Sequence, residues 1–223
     1  MTADPHSPWV EERFPTSGDN LIVADADDMA ACLEAVRAND AAAVTVFGDA
    51  GRDWLRAASR NLAYKSARPV VGQGEKAVTQ DFEICPQPPW ESPWGACAGM
   101  MSDLVNAGLA RMTQPPCPPV SFNEAVVQRY APSDCGISPH RDHVRYVNLV
   151  GILVIDGEGD FFVCDDRTGQ GATKIPAPPG SFLLMRAPGF DGSRYCPFHT
   201  LGAVHTPRLI VGYRQDTRPG EPD

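Results

Sequence analysis

From Phe122 onward the chain runs as short apolar segments separated by turns: Glu124–Tyr130, Tyr146–Ile155, Asp160–Cys164, Ser181–Arg186 and Arg208–Arg214. Segments this short and this rich in Val, Ile, Leu, Phe and Tyr suit strands better than helices. Asp156-Gly157-Glu158-Gly159 reads as a hairpin turn, and Pro178-Pro179-Gly180 as a turn leading into a buried strand. Open strand edges recruit other chains, so a set of strands like this is expected to close into a double-sheet barrel of the jelly-roll type. The 22 prolines and 20 glycines among 223 residues agree, because they punctuate strands and interrupt long helices. The expected fold is α+β, mainly β: a double-stranded β-helix (jelly-roll) core with supporting N-terminal helices.

The N-terminal half supplies the support. Residues 1–20, with Pro5, Pro8, Pro15 and Gly18, read as a loosely ordered leader that packs through Trp9, Val10 and Phe14 if at all. Leu21-Ile22-Val23 suits a short strand, and Asp25 or Asp27 can cap a helix to about Arg37 with Met29, Leu33 and Val36 on one face. A strand over Ala43–Phe47 and a helix over Gly51–Lys65, striped by Trp54, Leu55, Ala58 and Leu62, are expected next. Residues 66–94 lack a sustained period and suit a long irregular loop able to cover an active site. Trp94 to Met112 has helical spacing, and Pro115-Pro116-Cys117-Pro118-Pro119 stops it. At 24.0 kDa one core suffices, so we expect a single domain over 1–223: leader 1–20, supporting region 21–120 and core 121–216.

Charge and cysteine usage narrow the function classes. A net charge of −9 without a basic cluster disfavours a nucleic-acid partner and favours a small-molecule substrate. Seven cysteines with no CxxC pair and no secretory segment suggest reduced thiols in a cytoplasm. The most apolar run, Val147–Ile155, is far shorter than the roughly 20 residues that span a bilayer, so no membrane is expected.

His140-Arg141-Asp142 carries the chemistry. On a strand, residues i and i+2 share a face, so His140 and Asp142 can reach one metal ion while Arg141 points away. The chain has five histidines; His6 lies in the leader and His143 stands at helical spacing from His140, which leaves His199 and His205 as third ligand. Arg208 follows His199 by nine positions (208−199 = 9), and Arg214 follows His205 by the same interval (214−205 = 9). We take His199 with Arg208 first and keep His205 with Arg214 as the alternative. Two imidazoles and one carboxylate on one side of an octahedron leave the other positions open, the arrangement suited to non-heme Fe(II) and oxygen activation.

With an HxD pair, a distal His and a later Arg, residues 121–216 resemble the Fe(II)- and 2-oxoglutarate-dependent oxygenase superfamily. Gln128-Arg129-Tyr130-Ala131-Pro132 and Arg208-Leu209-Ile210-Val211-Gly212-Tyr213-Arg214 look most like its AlkB-type branch. That branch usually has Asn where Gln128 stands, and polar residues where Ile210 and Gly212 stand. The resemblance implies His140, Asp142 and His199 as metal ligands and catalytic centre, Fe(II) as the metal, and 2-oxoglutarate and O2 as cosubstrates. It places Tyr130 and Arg208 on the distal carboxylate of 2-oxoglutarate, a group that the planar guanidinium fork matches bidentately. Arg214, on the same face by period two, is expected on the proximal carboxylate or a nearby acid, and Arg145 on the substrate. The implied reaction yields succinate and CO2 and hydroxylates the substrate, with desaturation, ring closure or demethylation as variants. Asp142 argues against halogenation, because halogenases of this superfamily lack that carboxylate. Two alternatives stand beside a small-molecule oxygenase: an AlkB-like demethylase of nucleic acid or protein, and a catalytically silent jelly-roll module that retains the ligands.

Overall fold

The computed structural model describes residues 21–218; the leader, 1–20, lies outside them. Helices α1 (Ala26–Asn39), α2 (Asp49–Ser59) and α3 (Pro93–Arg111) accompany strands that begin with β1 (Ala41–Thr45), β2 (Lys65–Ser66), β3 (Val70–Val71), β4 (Val78–Thr79) and β5 (Glu83–Cys85). The C-terminal half then contributes β6 (Glu124–Tyr130), β7 (Ile137–His140), β8 (Tyr146–Asp156), β9 (Gly159–Cys164), β10 (Thr173–Lys174), β11 (Ser181–Arg186), β12 (Phe198–Val204) and β13 (Arg208–Asp216). A seven-stranded sheet in the order β1-β11-β8-β13-β6-β5-β2 packs on a four-stranded sheet, β10-β9-β12-β7, while β3 and β4 form a separate ribbon. This is the expected mainly β jelly roll with N-terminal helices.

Alternate residues of the large sheet feed two cores. On β11, Phe182 and Leu184 join Met29, Leu33, Leu55, Met101 and Val105 of the helices, whereas Leu183 and Met185 join the cluster between the sheets. On β13, Val211 and Tyr213 face the helices while Ile210 faces inward. Strands covered on both faces read as continuous apolar runs, which is why Ser181–Met185 is buried without interruption. The helices are set by their caps. Asp25 accepts hydrogen bonds from the Asp27 and Asp28 backbone N–H groups and Asp28 reciprocates, while Ser92 caps α3 just ahead of Pro93.

Several boundaries differ from the sequence expectation. Leu21–Val23 makes only a single bridge, Ile22 to Phe47. The strand expected at Ala43–Phe47 is Ala41–Thr45, because the backbone N–H groups of Val46 and Phe47 both turn to the Gly180 carbonyl. The helix expected to reach Lys65 stops at Ser59, and the chain turns so that β2 can pair with β5. Asp156–Gly159 is not a hairpin: β8 belongs to the large sheet and β9 to the small one, so this turn carries the chain between layers. Gly157, at φ 76°, makes that passage against Pro207, whose carbonyl leaves no room for a Cβ.

The segment 66–94 is more ordered than a loop. β5 extends the large sheet through β6, and Gln80 bridges to Ile137 on the edge of the small sheet, so the segment closes one end of the sandwich. Two-residue strands are too short to carry a readable period, which hid them.

Gly180 shows where backbone freedom is required. Its φ of 91° is left-handed, and a Cβ would stand 2.2 Å from the Phe47 carbonyl oxygen. Gly180→Ala should therefore destabilise the fold by about 2 kcal/mol or more, read as a lower urea midpoint at unchanged slope. An unaltered midpoint would refute this account of the turn.

Candidate metal centre

The sandwich interior positions the expected ligands. β7 and β12 are antiparallel neighbours, and His140 and His199 are direct cross-strand partners with ring centroids 4.2 Å apart. Asp142 lies just beyond the end of β7, so the strand rule delivers His140 only; the chain leaves the strand and a loop brings the carboxylate round. The Asp142 Oδ2 atom comes within 3.8 Å of His199 Nε2, and one ligand atom from each of the three residues lies within 4.8 Å of the others. His205 sits elsewhere: it is half exposed, and its Nε2 is 3.1 Å from Asp160 Oδ1.

The electrostatics suit a cation. The Ser138 carbonyl lies 2.9 Å from His140 Nδ1; a proton on that nitrogen leaves Nε2 with a free lone pair. Burial, reinforced by His140, pushes the His199 imidazole down to about 3, and burial also lowers His140, so both rings are neutral ligands near pH 7. Burial works to raise the Asp142 carboxyl, but the fields of His199, Arg214 and His140 outweigh it and hold that carboxyl below the ordinary range. A neutral-imidazole and carboxylate donor set of this kind fits Fe(II).

The His199 shift has a measurable consequence. The unfolded chain takes up a proton on this ring near 6.5, whereas the folded chain does so only near 3. The unfolded state therefore binds more protons between those values, and stability falls as pH drops. Metal-free protein should lose melting temperature progressively from pH 7 to pH 4, with a shallower slope in His199→Phe; equal slopes would contradict the buried neutral ring.

A second group of residues faces the same space from the large sheet. Arg208 pairs in register with Tyr130, Ile210 with Gln128, and Arg214 with Glu124, and the side chains of Arg208, Ile210, Arg214, Gln128 and Tyr130 line one cavity of about 300 Å³ with the triad. Arg208 is 3% exposed, and among the described residues no carboxylate pairs with its guanidinium, whose Nε lacks a hydrogen-bond partner. Tyr130 is buried beside it, and burial raises its phenol well above the ordinary value. Arg214 lines the cavity and also stands 3.6 Å from Glu124.

Arg145, expected on the substrate, is buried and does not line this cavity; its guanidinium is 3.1 Å from Asp216 and 3.8 Å from Glu124, at the end of β13. Charge near the metal in sequence had suggested the contact, but the chain turns Arg145 inward between two acids. Several residues not singled out from the sequence complete the cavity: Val71, Val78, Gln80 and Phe82 come from segment 66–94, and Phe161 from β9. No sequence signal marked them individually.

No protein family and no curated protein matches the chain by sequence. Solved structures do. An oxidoreductase of the 2OG-Fe(II) oxygenase family from Burkholderia pseudomallei superposes with a TM-score of 0.60 at 12% identity, covering 88% of this chain and 92% of that one. A prolyl hydroxylase from Trichoplax adhaerens, solved with a hypoxia inducible factor oxygen degradation domain peptide, gives 0.57 at 11% identity over 86% and 90% of the two chains. OsALKBH1 gives 0.52 at 13% identity over 79% and 98%. Over most of its length the chain thus has the fold of the 2OG-Fe(II) oxygenases, and the His140-x-Asp142…His199 triad stands within it.

Proposed function

We propose that this protein is an Fe(II)- and 2-oxoglutarate-dependent dioxygenase that oxidises, most simply by hydroxylation, a small-molecule substrate. One observation carries the proposal: Arg208, a buried cation with no anionic partner among the described residues, faces the same cavity as two neutral imidazoles and a carboxylate. An isolated buried charge is costly, so a fold that keeps one reserves it for a ligand of opposite sign.

His140, Asp142 and His199 would hold the iron. When bound, the iron with 2-oxoglutarate and O2 supplies the oxidising power, and the cosubstrate leaves as succinate and CO2. The Arg208 fork receives the distal carboxylate of 2-oxoglutarate through paired N–H donors, and the Tyr130 hydroxyl adds another donor. Glu124 holds Arg214, which contributes positive potential beside Asp142 and the proximal carboxylate. Val150, Ile152, Leu201 and Ile210 form apolar walls that exclude bulk water and strengthen these contacts.

An AlkB-type demethylase of nucleic acid or protein would share this fold, but Gln128 and the net charge of −9 weigh against a polyanionic substrate. The seven free cysteines, six of them buried, support our assignment of a cytoplasmic protein, and among the described residues no helix is long and apolar enough to cross a membrane. We treat the chain as one oxygenase domain.

Anaerobic titration with Fe(II) and 2-oxoglutarate, followed by succinate measurement in air, tests the proposal. A weak visible charge-transfer band followed by succinate is the expected result. Absence of both defeats the enzyme assignment, and a band without succinate leaves the silent binding module.

A further inference from the structure

Strand pairing accounts for two of the three ligands and leaves the third. His140 ends β7 directly opposite His199 of β12, whereas Asp142, two residues further on, has left the strand. The pairing of β7 with β12 is itself short and irregular, joining His199 to His140 and Leu201 to Ile137 with a register shift between them. Metal sites orient their ligands through contacts outside the donor set, and a carboxylate on a loop needs such a contact most.

The outer side of the small sheet supplies one. Side chains alternate along a strand, so Phe198 points away from the triad where the buried His199 points into it. Arg141 stands between His140 and Asp142, and its guanidinium reaches that outer side, 4.1 Å from the centre of the Phe198 ring. One stacked contact therefore joins the residue between two ligands to the residue immediately before the third. Arg167 approaches the same ring at 5.4 Å from the loop after β9, whose Cys164 is the cross-strand partner of Phe198. The ring is thus held from the neighbouring strand as well. Electrostatics alone disfavours an arginine at position 141, because a cation one residue from each of two ligands repels a divalent metal. Stacking on an aromatic face accounts for it.

We propose that Arg141 and Phe198 are positioning residues: their stacked contact, braced by Arg167, clamps the Asp142 loop to the start of β12 and sets the carboxylate against the two imidazoles. The inference rests on the triad being a metal centre and on nothing about the substrate.

The test titrates the full chain, freed of metal, with Co(II) by calorimetry under nitrogen and then with 2-oxoglutarate, with His199→Ala as the blank for Co(II) bound elsewhere. Arg141→Met keeps the length of the side chain and removes its charge. Relief of Coulomb repulsion alone would tighten Co(II) binding in this variant, whereas loss of the clamp should weaken it about two- to fivefold, the worth of an exposed cation–π contact. Phe198→Leu loses both guanidinium contacts and should weaken Co(II) binding about fivefold or more, and Phe198→Tyr, which keeps the aromatic face, should restore it. Because the two residues act as a pair, Arg141→Met should weaken binding no further in the Phe198→Leu background. Arg141 is exposed, so its variant carries the test should Phe198→Leu fail to fold.

Equal or tighter Co(II) binding in Arg141→Met overturns the clamp, and so does a loss in Phe198→Leu that Phe198→Tyr leaves unrestored. A loss confined to 2-oxoglutarate affinity overturns it too, and assigns Arg141 to the cavity that it borders. Wild type that binds no more Co(II) than His199→Ala refutes the metal centre itself, a result distinct from any difference among the clamp variants.

Discussion

His199→Ala is expected to abolish the Fe(II)–2-oxoglutarate absorption band and to reduce succinate formation to background. The ring is buried, its Nε2 faces Asp142, and its centroid is 4.2 Å from that of His140, so its removal takes away one of the three proposed ligands. Loss of an outer-shell partner already weakens metal affinity about 10–100-fold, and loss of a ligand should exceed that range. Thermal stability provides a second readout. Metal at about a hundred times its dissociation constant stabilises by about 2.7 kcal/mol, or roughly 5–11 °C for a domain of this size. Wild type should show such a shift and His199→Ala should not. His205→Ala should retain it, because His205 is half exposed and engaged with Asp160. A metal shift lost in His205→Ala and kept in His199→Ala would move the third ligand.

Arg208→Met should act in opposite directions on binding and on stability. Removing one partner of a buried charge pair costs about 2–5 kcal/mol, so 2-oxoglutarate affinity should fall by roughly 30-fold to several thousandfold. Without ligand, wild type carries a guanidinium that is 3% exposed and has no carboxylate partner among the described residues, and replacing it with an apolar side chain of similar length should stabilise the ligand-free protein by about 1–2 kcal/mol. Urea unfolding with and without 2-oxoglutarate separates the two effects. Arg208→Lys should recover little affinity, since an ammonium cannot reproduce the fork. Unchanged affinity together with lower ligand-free stability would show that Arg208 is structural and point to Arg214 for the carboxylate.

The parts of this protein that were legible are those governed by local periodicity. Alternation on β13 put Arg208 and Arg214 on one face, and the apolar run at Ser181–Met185 announced a strand buried on both sides. Capping chemistry located the start of α1 at Asp25 or Asp27, and the structure makes Asp25 the cap. β12 was missed because its inward positions hold His199 beside Leu201, so the most informative polar residue breaks the apolar alternation that marks a strand. The layer change at Asp156–Gly159 was missed because Gly-rich turns look alike whether the next strand pairs with its predecessor or crosses to another sheet. Segment 66–94 was read as irregular because its strands are two or three residues long and are held by distant partners such as β6 and Ile137.

By itself the sequence determined which residue types exist to hold a metal and a dicarboxylate, and the spacing of His140 with Asp142 and of His199 with Arg208. Those are intervals along the chain, which the order of residues fixes whichever strands later become neighbours. Only the tertiary structure decided between His199 and His205, withdrew Arg145 into an ion pair with Asp216, and brought Arg141 and Arg167 to one aromatic ring. Each of those outcomes depends on which strands become neighbours across the sandwich, and that is settled by burial summed over both sheets, which no local pattern contains.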